Sequence, residues 1–154
     1  MNSLFKGMNV IRLKTLAWIE ENGELFVVRN HDRVKGDDYY RPIGGSVNFG
    51  ERTVDALQRE VLEELGTTIS ITGEPLILEN IFTCDGKAGH EIDYLYPAEF
   101  GSQEFYERRI FDLVEEGGAR FDALWVSIDD CLDGKYRLVP EELLAWYRRG
   151  KKHQ

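Results

Sequence analysis

Apolar and polar positions along this chain change period several times, and each change marks an element. Residues 10–20 mix apolar and basic side chains, Asn22 and Gly23 form a turn signal, and residues 25–29 are a short apolar run. Together they predict a hairpin. Residues 31–38 are polar and read as a surface loop, and residues 39–49 read as extended, interrupted by Pro42 and the pair Gly44 and Gly45. From residue 52 to 65 apolar positions recur at helical spacing and stop at Gly66, a good C-cap. Residues 68–72 alternate like a half-buried strand. Residues 76–84 and 91–100 flank the turn-rich stretch 85–89, which predicts a second hairpin. Residues 102–114 fit neither period, 123–128 read as a strand, and Pro140 suits the first position of a helix running to about residue 149. Strands and helices are mixed without regular βαβ alternation. The expected class is α/β, a mixed sheet with helices packed on it, in place of a doubly wound parallel fold.

Composition adds limits. With 154 residues and no linker, repeat or low-complexity segment, the chain reads as one domain, 1–154, with a real core. No stretch is apolar for long enough to cross a bilayer, and residues 1–12 lack the pattern of a signal peptide. Cys84 and Cys131 lie far apart and outside any C-x-x-C pair, so neither zinc nor a structural disulfide is implied. A cytoplasmic protein without a membrane partner is expected. The net charge of −9 argues against binding a nucleic-acid duplex. It does not exclude a phosphate substrate, because metal ions reverse the local field of a carboxylate-rich site.

Such a site is written into the helix. On a wheel of roughly 100° per residue, Glu60, Glu63 and Glu64 share one arc, while Val54, Leu57, Val61 and Leu65 cluster beside it. One face packs on a sheet and its neighbour presents three carboxylates. Like charges at these spacings repel by roughly 0.2–0.5 kcal/mol per pair. A hard dication with oxygen ligands turns that repulsion into attraction, and Mg²⁺ is the usual such ion beside phosphates. Arg59 is placed to reach Glu63 at the i,i+4 spacing or to swing toward Glu51. A Glu-rich helix alone is most often a solvated face; the glycine loop upstream and Glu51 change that reading.

The pattern G-x5-E-x7-R-E-U-x-E-E-x-G-U, with U aliphatic, resembles the Nudix box of the MutT-like hydrolases. It is carried by Gly45, Glu51, Arg59, Glu60, Val61, Glu63, Glu64 and Gly66, with Thr67 in place of the last aliphatic residue. The aromatic approach through Tyr39, Tyr40, Arg41 and Pro42 and the late run Leu124, Trp125, Val126 are similar to the family as well. The resemblance implies a Nudix-type α/β/α sandwich with a mixed sheet and a loop–helix–loop catalytic motif. It implies hydrolysis of a nucleoside diphosphate linked to another moiety, with Mg²⁺, or Mn²⁺ in substitution, as cofactor. Glu63 and Glu64 would bind metal, Glu60 would be a further ligand or the base for water, and the backbone at Gly45 would add a carbonyl. Arg59 and Glu51 would orient this group. Self-association into a homodimer is compatible with the reading.

Outside the box, Glu91 is a candidate for an extra carboxylate, as ligand or base, with Glu115 and Glu116 competing for that role. Tyr39, Tyr40 and Phe49 are candidates to stack on a base, and Arg41 to contact substrate. Proline and tyrosine markers of the ADP-ribose and dinucleoside polyphosphate subfamilies are absent around Ile81, Phe82 and Thr83, and so is the NADH-hydrolase motif. No substrate is therefore named. No phosphate-binding G-x-x-x-x-G-K-[ST], nucleophile elbow or H-E-x-x-H motif occurs. A Nudix-fold sensor without turnover is the alternative, disfavoured by the intact glutamate set. A structural Ca²⁺ domain is disfavoured by the missing EF-hand spacing.

Overall fold

The computed structural model describes residues 9–114 and 117–152, so Glu115 and Glu116 lie outside the described residues. The chain forms β1 (Arg12–Trp18), β2 (Glu20–Glu21), β3 (Glu24–Asp32), β4 (Asp37–Ser46), α1 (Thr53–Leu65) and β5 (Ile69–Ile71). There follow β6 (Leu76–Cys84), β7 (Lys87–Phe100), α2 (Glu104–Glu107), β8 (Ile110–Val114), β9 (Arg120–Ser127), α3 (Ile128–Leu132) and α4 (Glu142–Lys152). The strands run in the order β5-β7-β1-β4-β3-β9-β8, with β2 joined to β3 and β6 joined to β7. β1 pairs parallel with β7 and antiparallel with β4, which makes the sheet mixed.

Two cores lie on the two faces of this sheet. Leu57 and Val61 of α1 pack with Ala17, Phe26, Ile43 and Trp125. Leu143 of α4 and Ile128 and Cys131 of α3 pack with Trp18, Leu25, Val27 and Leu95. Helices on both faces give the expected α/β/α layering of the Nudix-type fold. Leu57 and Val61 are fully buried, and each contributes about 1.5–3 kcal/mol through removal of apolar surface from water. No helix among the described residues is long and apolar enough to cross a membrane.

Several elements differ from their expected form. The first hairpin is only β2–β3, turning at Asn22 and Gly23, both with positive φ. β1 has left that hairpin for the centre of the sheet, where four consecutive residues from Thr15 to Trp18 are buried. The polar stretch 31–38 is a tight hairpin, not an open loop, because Asp32 accepts hydrogen bonds from the amides of Val34 and Lys35 at 2.9 Å and closes the turn. Pro42 does not interrupt β4: the strand changes partner there, from β3 to β1. The ambiguous stretch resolves into α2 and β8, and Ile128 begins α3 instead of ending a strand. The last helix starts at Glu142, two residues beyond Pro140.

Gly44 lies where β4 crosses β1, and a Cβ there would stand 1.9 Å from the Thr15 carbonyl oxygen and 2.9 Å from Leu16 Cα. Both are backbone atoms that cannot turn aside. Gly44→Ala should cost about 4 kcal/mol or more, at the extreme end of single substitutions. At Gly23, with φ +78° and nothing within 4 Å, alanine should cost only roughly 1–2 kcal/mol for its left-handed backbone. Urea unfolding of the two variants checks the contrast; equal losses would contradict it.

Candidate functional site

The site begins where β4 ends. Helix α1 is pinned at its first turn, with the Thr15 hydroxyl donating to the Thr53 carbonyl at 3.0 Å and the Thr53 hydroxyl sharing a 2.7 Å bond with Tyr96 OH. Its middle is tied to β5 through Gln58, which donates to the Ile69 carbonyl and accepts from its amide. Gly66, left-handed at φ 69°, caps the end by donating to the Leu62 carbonyl. The helix is therefore fixed in rotation, and its acidic arc takes a defined direction.

Arg59 organises that arc. Its Nε and Nη2 donate to the two oxygens of Glu51 at 2.8 and 2.9 Å, a bidentate pair. Nη2 also reaches the Ser46 carbonyl at 3.0 Å, while Nη1 donates to Glu60 at 3.0 Å and to Glu63 at 3.3 Å. Glu51 further accepts from the Asn48 amide at 3.1 Å, so loop 46–51 closes on the helix. The Arg59 bonds hold the Glu51 carboxyl below the usual carboxylate range. Glu60 moves the other way: burial pushes its carboxyl up against the opposing pull of Arg59.

Gly45 makes room for Glu60. A Cβ at Gly45 would fall 2.3–2.6 Å from the Glu60 carboxylate, so the carboxylate occupies the space a side chain would fill. Glu60 is 17% exposed and Glu63 is 59% exposed, the first held and the second free to swing outward. Glu64 is partly buried on the same helix. Among the described residues no three acidic, histidine or cysteine side chains already converge as a ligand set. The reason is visible in the geometry: the Arg59 Nη1 stands between Glu60 and Glu63.

A cleft of about 500 Å³ opens among β1, β4, β6 and β7. Tyr39 and Arg41 line it, with Arg12 and Lys14 of β1, Glu91 and Asp93 of β7 and Asn80 and Phe82 of β6. Glu91 is 3.9 Å from Arg12. Asp93 is fully buried, and neither of its carboxylate oxygens has a hydrogen-bond partner among the described residues. Burial, reinforced by repulsion from Glu91, pushes its pKa up to about 7. Burial also lowers the pKa of Lys14, with Arg41 and Arg12 adding to that effect and Glu91 and Glu60 opposing it.

The structure thus brings Glu51, Arg59, Glu60, Glu63 and Gly45 together, and places Glu91, Tyr39 and Arg41 in the cleft. Tyr40 is a correction. Its ring is buried beneath α4 and meets Tyr136 edge-on at 5.1 Å, because alternation along β4 turns it away from its neighbours. Phe49 is fully exposed and is not part of the cleft wall. Lys14, Asp93, Asn80 and Phe82 escaped the sequence reading. Asp93 was reachable by counting two residues along a strand from Glu91, whereas Lys14 joins the group only through the parallel pairing of β1 with β7.

Comparison with known proteins fits this geometry. No curated protein sequence matches the chain. Among solved structures, the NUDIX hydrolase from Nitrosomonas europaea has a TM-score of 0.61 and 21% identity, covering 92% of this chain and 91% of that one. The MutT protein from Methanosarcina mazei Go1 has a TM-score of 0.61 and 21% identity, covering 95% and 96%. The MutT NUDIX hydrolase from Burkholderia pseudomallei has a TM-score of 0.55 and 24% identity, covering 79% and 86%. At these identities the likeness is one of fold. The model of the NUDIX domain matches residues 12–147 and so takes in the whole Arg59 cluster and the cleft strands, and the chain belongs to the Nudix family.

Proposed function

We propose that this chain is a divalent-metal-dependent hydrolase that splits a phosphoanhydride bond in a nucleoside diphosphate linked to another moiety. The observation that carries the reading is the Arg59 cluster, in which one guanidinium binds Glu51, Glu60 and Glu63 while Glu60 occupies the space beside Gly45. A helix that served only as a solvated face would have no need to hold its carboxylates in this way.

The donor set suits Mg²⁺ or Mn²⁺: every candidate ligand is an oxygen, and the bare α-carbon of Gly45 leaves the cradle open for a carboxylate. Glu63 and Glu64, with Glu60 and the carbonyl at Gly45, would hold the ion, and Glu91 would add a carboxylate from the cleft. When bound, a divalent ion supplies the charge that polarises a phosphoryl oxygen and activates water. The chain's own residues do the remainder. Where it is not a ligand, Glu60 is the base that accepts the proton of the attacking water. Arg59 and Glu51 fix the direction of Glu60. Arg41 binds phosphate and Tyr39 forms a wall of the cleft. Water adds to phosphorus, the bridging phosphorus–oxygen bond breaks, and two phosphorylated products leave.

A panel of nucleoside triphosphates, nucleotide sugars, ADP-ribose, dinucleotides and coenzyme A with Mg²⁺ tests the reading through product analysis. Cleavage at an anhydride supports it. Tight binding of one compound without turnover would replace it with the sensor reading.

Glu63→Gln and Glu64→Gln each remove charge from a ligand and also relieve repulsion on α1. Turnover should fall by about 10²-fold or more while the melting temperature without metal holds or rises. Mg²⁺ should raise the wild-type melting temperature, as any ligand of the folded state does, and raise it less in both variants. Wild-type activity in either variant at saturating Mg²⁺ would refute its assignment. Arg59→Lys tests orientation. Lysine cannot form two parallel bonds to Glu51, so kcat should drop, by on the order of 10²-fold for a displacement near 1 Å. Metal affinity should change much less than in Glu63→Gln. An unchanged kcat would leave Arg59 a surface ion-pair residue.

A further inference from the structure

Lys14 occupies the junction between the acidic helix and the cleft. On β1 it stands opposite Ser46 on one side and Asp93 on the other, while the next residue, Thr15, stands opposite Gly45. Strand alternation sends Thr15 toward α1, where it bonds Thr53, and sends Lys14 into the cleft. Glu91 and Asp93 of β7 line the cleft with it, and the charge of Glu60 on α1 also acts on its ammonium. Arg12 and Arg41 flank it.

Arg12, Lys14 and Arg41 bring three cations to this part of the cleft beside Glu91 and Asp93, and burial keeps Asp93 only partly ionised at neutral pH. A dication taken up beside Glu60 would add to that positive charge. The anion that offsets it is a phosphate. We propose that Lys14 binds a phosphate oxygen of the substrate where the cleft meets Glu60, and so couples substrate binding to the metal-loaded state. The proposal rests on the hydrolase reading above. Its physical basis is position: a half-buried stem holds the ammonium in place, and a point charge suits a phosphate oxygen approached from one side. Lys14 also opposes the metal when no substrate is present, because its charge adds to the field that an incoming dication must overcome.

That double role sets opposite signs on two measurements. Titration calorimetry at pH 8 would follow Mg²⁺ alone, and then ADP or inorganic pyrophosphate at saturating Mg²⁺, in the wild type, Lys14→Met and Lys14→Arg. In Lys14→Met, Mg²⁺ should bind about threefold tighter, since a unit positive charge near the acidic helix has been removed. ADP and pyrophosphate should bind about 10- to 100-fold more weakly, the loss expected for a hydrogen bond to a charged group. Lys14→Arg should restore much of the phosphate affinity. Methionine matches the stem and removes a partly buried charge, so folding should persist, and thermal unfolding without ligand verifies it. A merely structural lysine would show the reverse: Mg²⁺ and ADP affinity falling together as the carboxylates lose their order. Unchanged ADP and pyrophosphate affinity in Lys14→Met beside normal wild-type binding would overturn the proposal and leave the hydrolase reading intact. Failure of the wild type to bind either phosphate probe would overturn the proposal, while the turnover panel decides the hydrolase reading separately.

Discussion

Everything at this site depends on one guanidinium whose five N–H donors are all used. Arg59 joins the end of β4 through the Ser46 carbonyl, loop 46–51 through Glu51, and its own helix through Glu60 and Glu63. A planar fork makes such simultaneous bonding feasible, and no other side chain carries that donor count. Hydrogen bonds to charged groups are each worth about 1.5–3 kcal/mol when sheltered, and partial exposure keeps these toward the low end. Their effect on shape exceeds their effect on stability. They turn a loop that would otherwise move into a fixed wall and keep three mutually repelling carboxylates within reach of one another.

That arrangement in turn relies on the sheet. Gly44 lets β4 approach β1 closely enough that the backbone of Thr15 occupies the space of a side chain, and Gly45 lets Glu60 lie against the strand. β1 then serves both faces. Ala17 buries under α1 and Thr15 ties the helix down, while Arg12, Lys14 and Leu16 line the cleft. The acidic helix and the cleft both adjoin β1, so the charges of Glu60 and Lys14 act on each other. The raised proton affinity of Glu60 and the lowered one of Lys14 both reflect that shared, poorly hydrated environment.

The box, α1 and its C-cap were legible in the sequence because they are local: spacing along one helix and one loop determines which side chains meet. β5 and the β6–β7 hairpin were legible for the same reason, since alternation and a turn signal lie in adjacent residues. The failures were non-local. A hairpin was expected from residues 10–29, yet β1 gains more by pairing with β4 and with β7, more than seventy residues away in the chain. Without that pairing Lys14 has no visible link to Asp93, and the cleft cannot be assembled from sequence. Tyr40 was misread for another reason: its aromatic character alone did not show which side of β4 it would face, and it went to the core against Tyr136.

The central claim is that Glu60, Glu63 and Glu64 share a cation, and that Arg59 keeps the carboxylates of Glu60 and Glu63 near that arrangement. Anomalous diffraction from crystals soaked in Mn²⁺ tests it most directly. The expected result is a peak within about 2.3 Å of carboxylate oxygens on α1, with Glu63 swung off the Arg59 Nη1 and Glu51 still bidentate on the guanidinium. A peak elsewhere, with Glu60, Glu63 and Glu64 unmoved, or no peak at saturating Mn²⁺, would contradict the account.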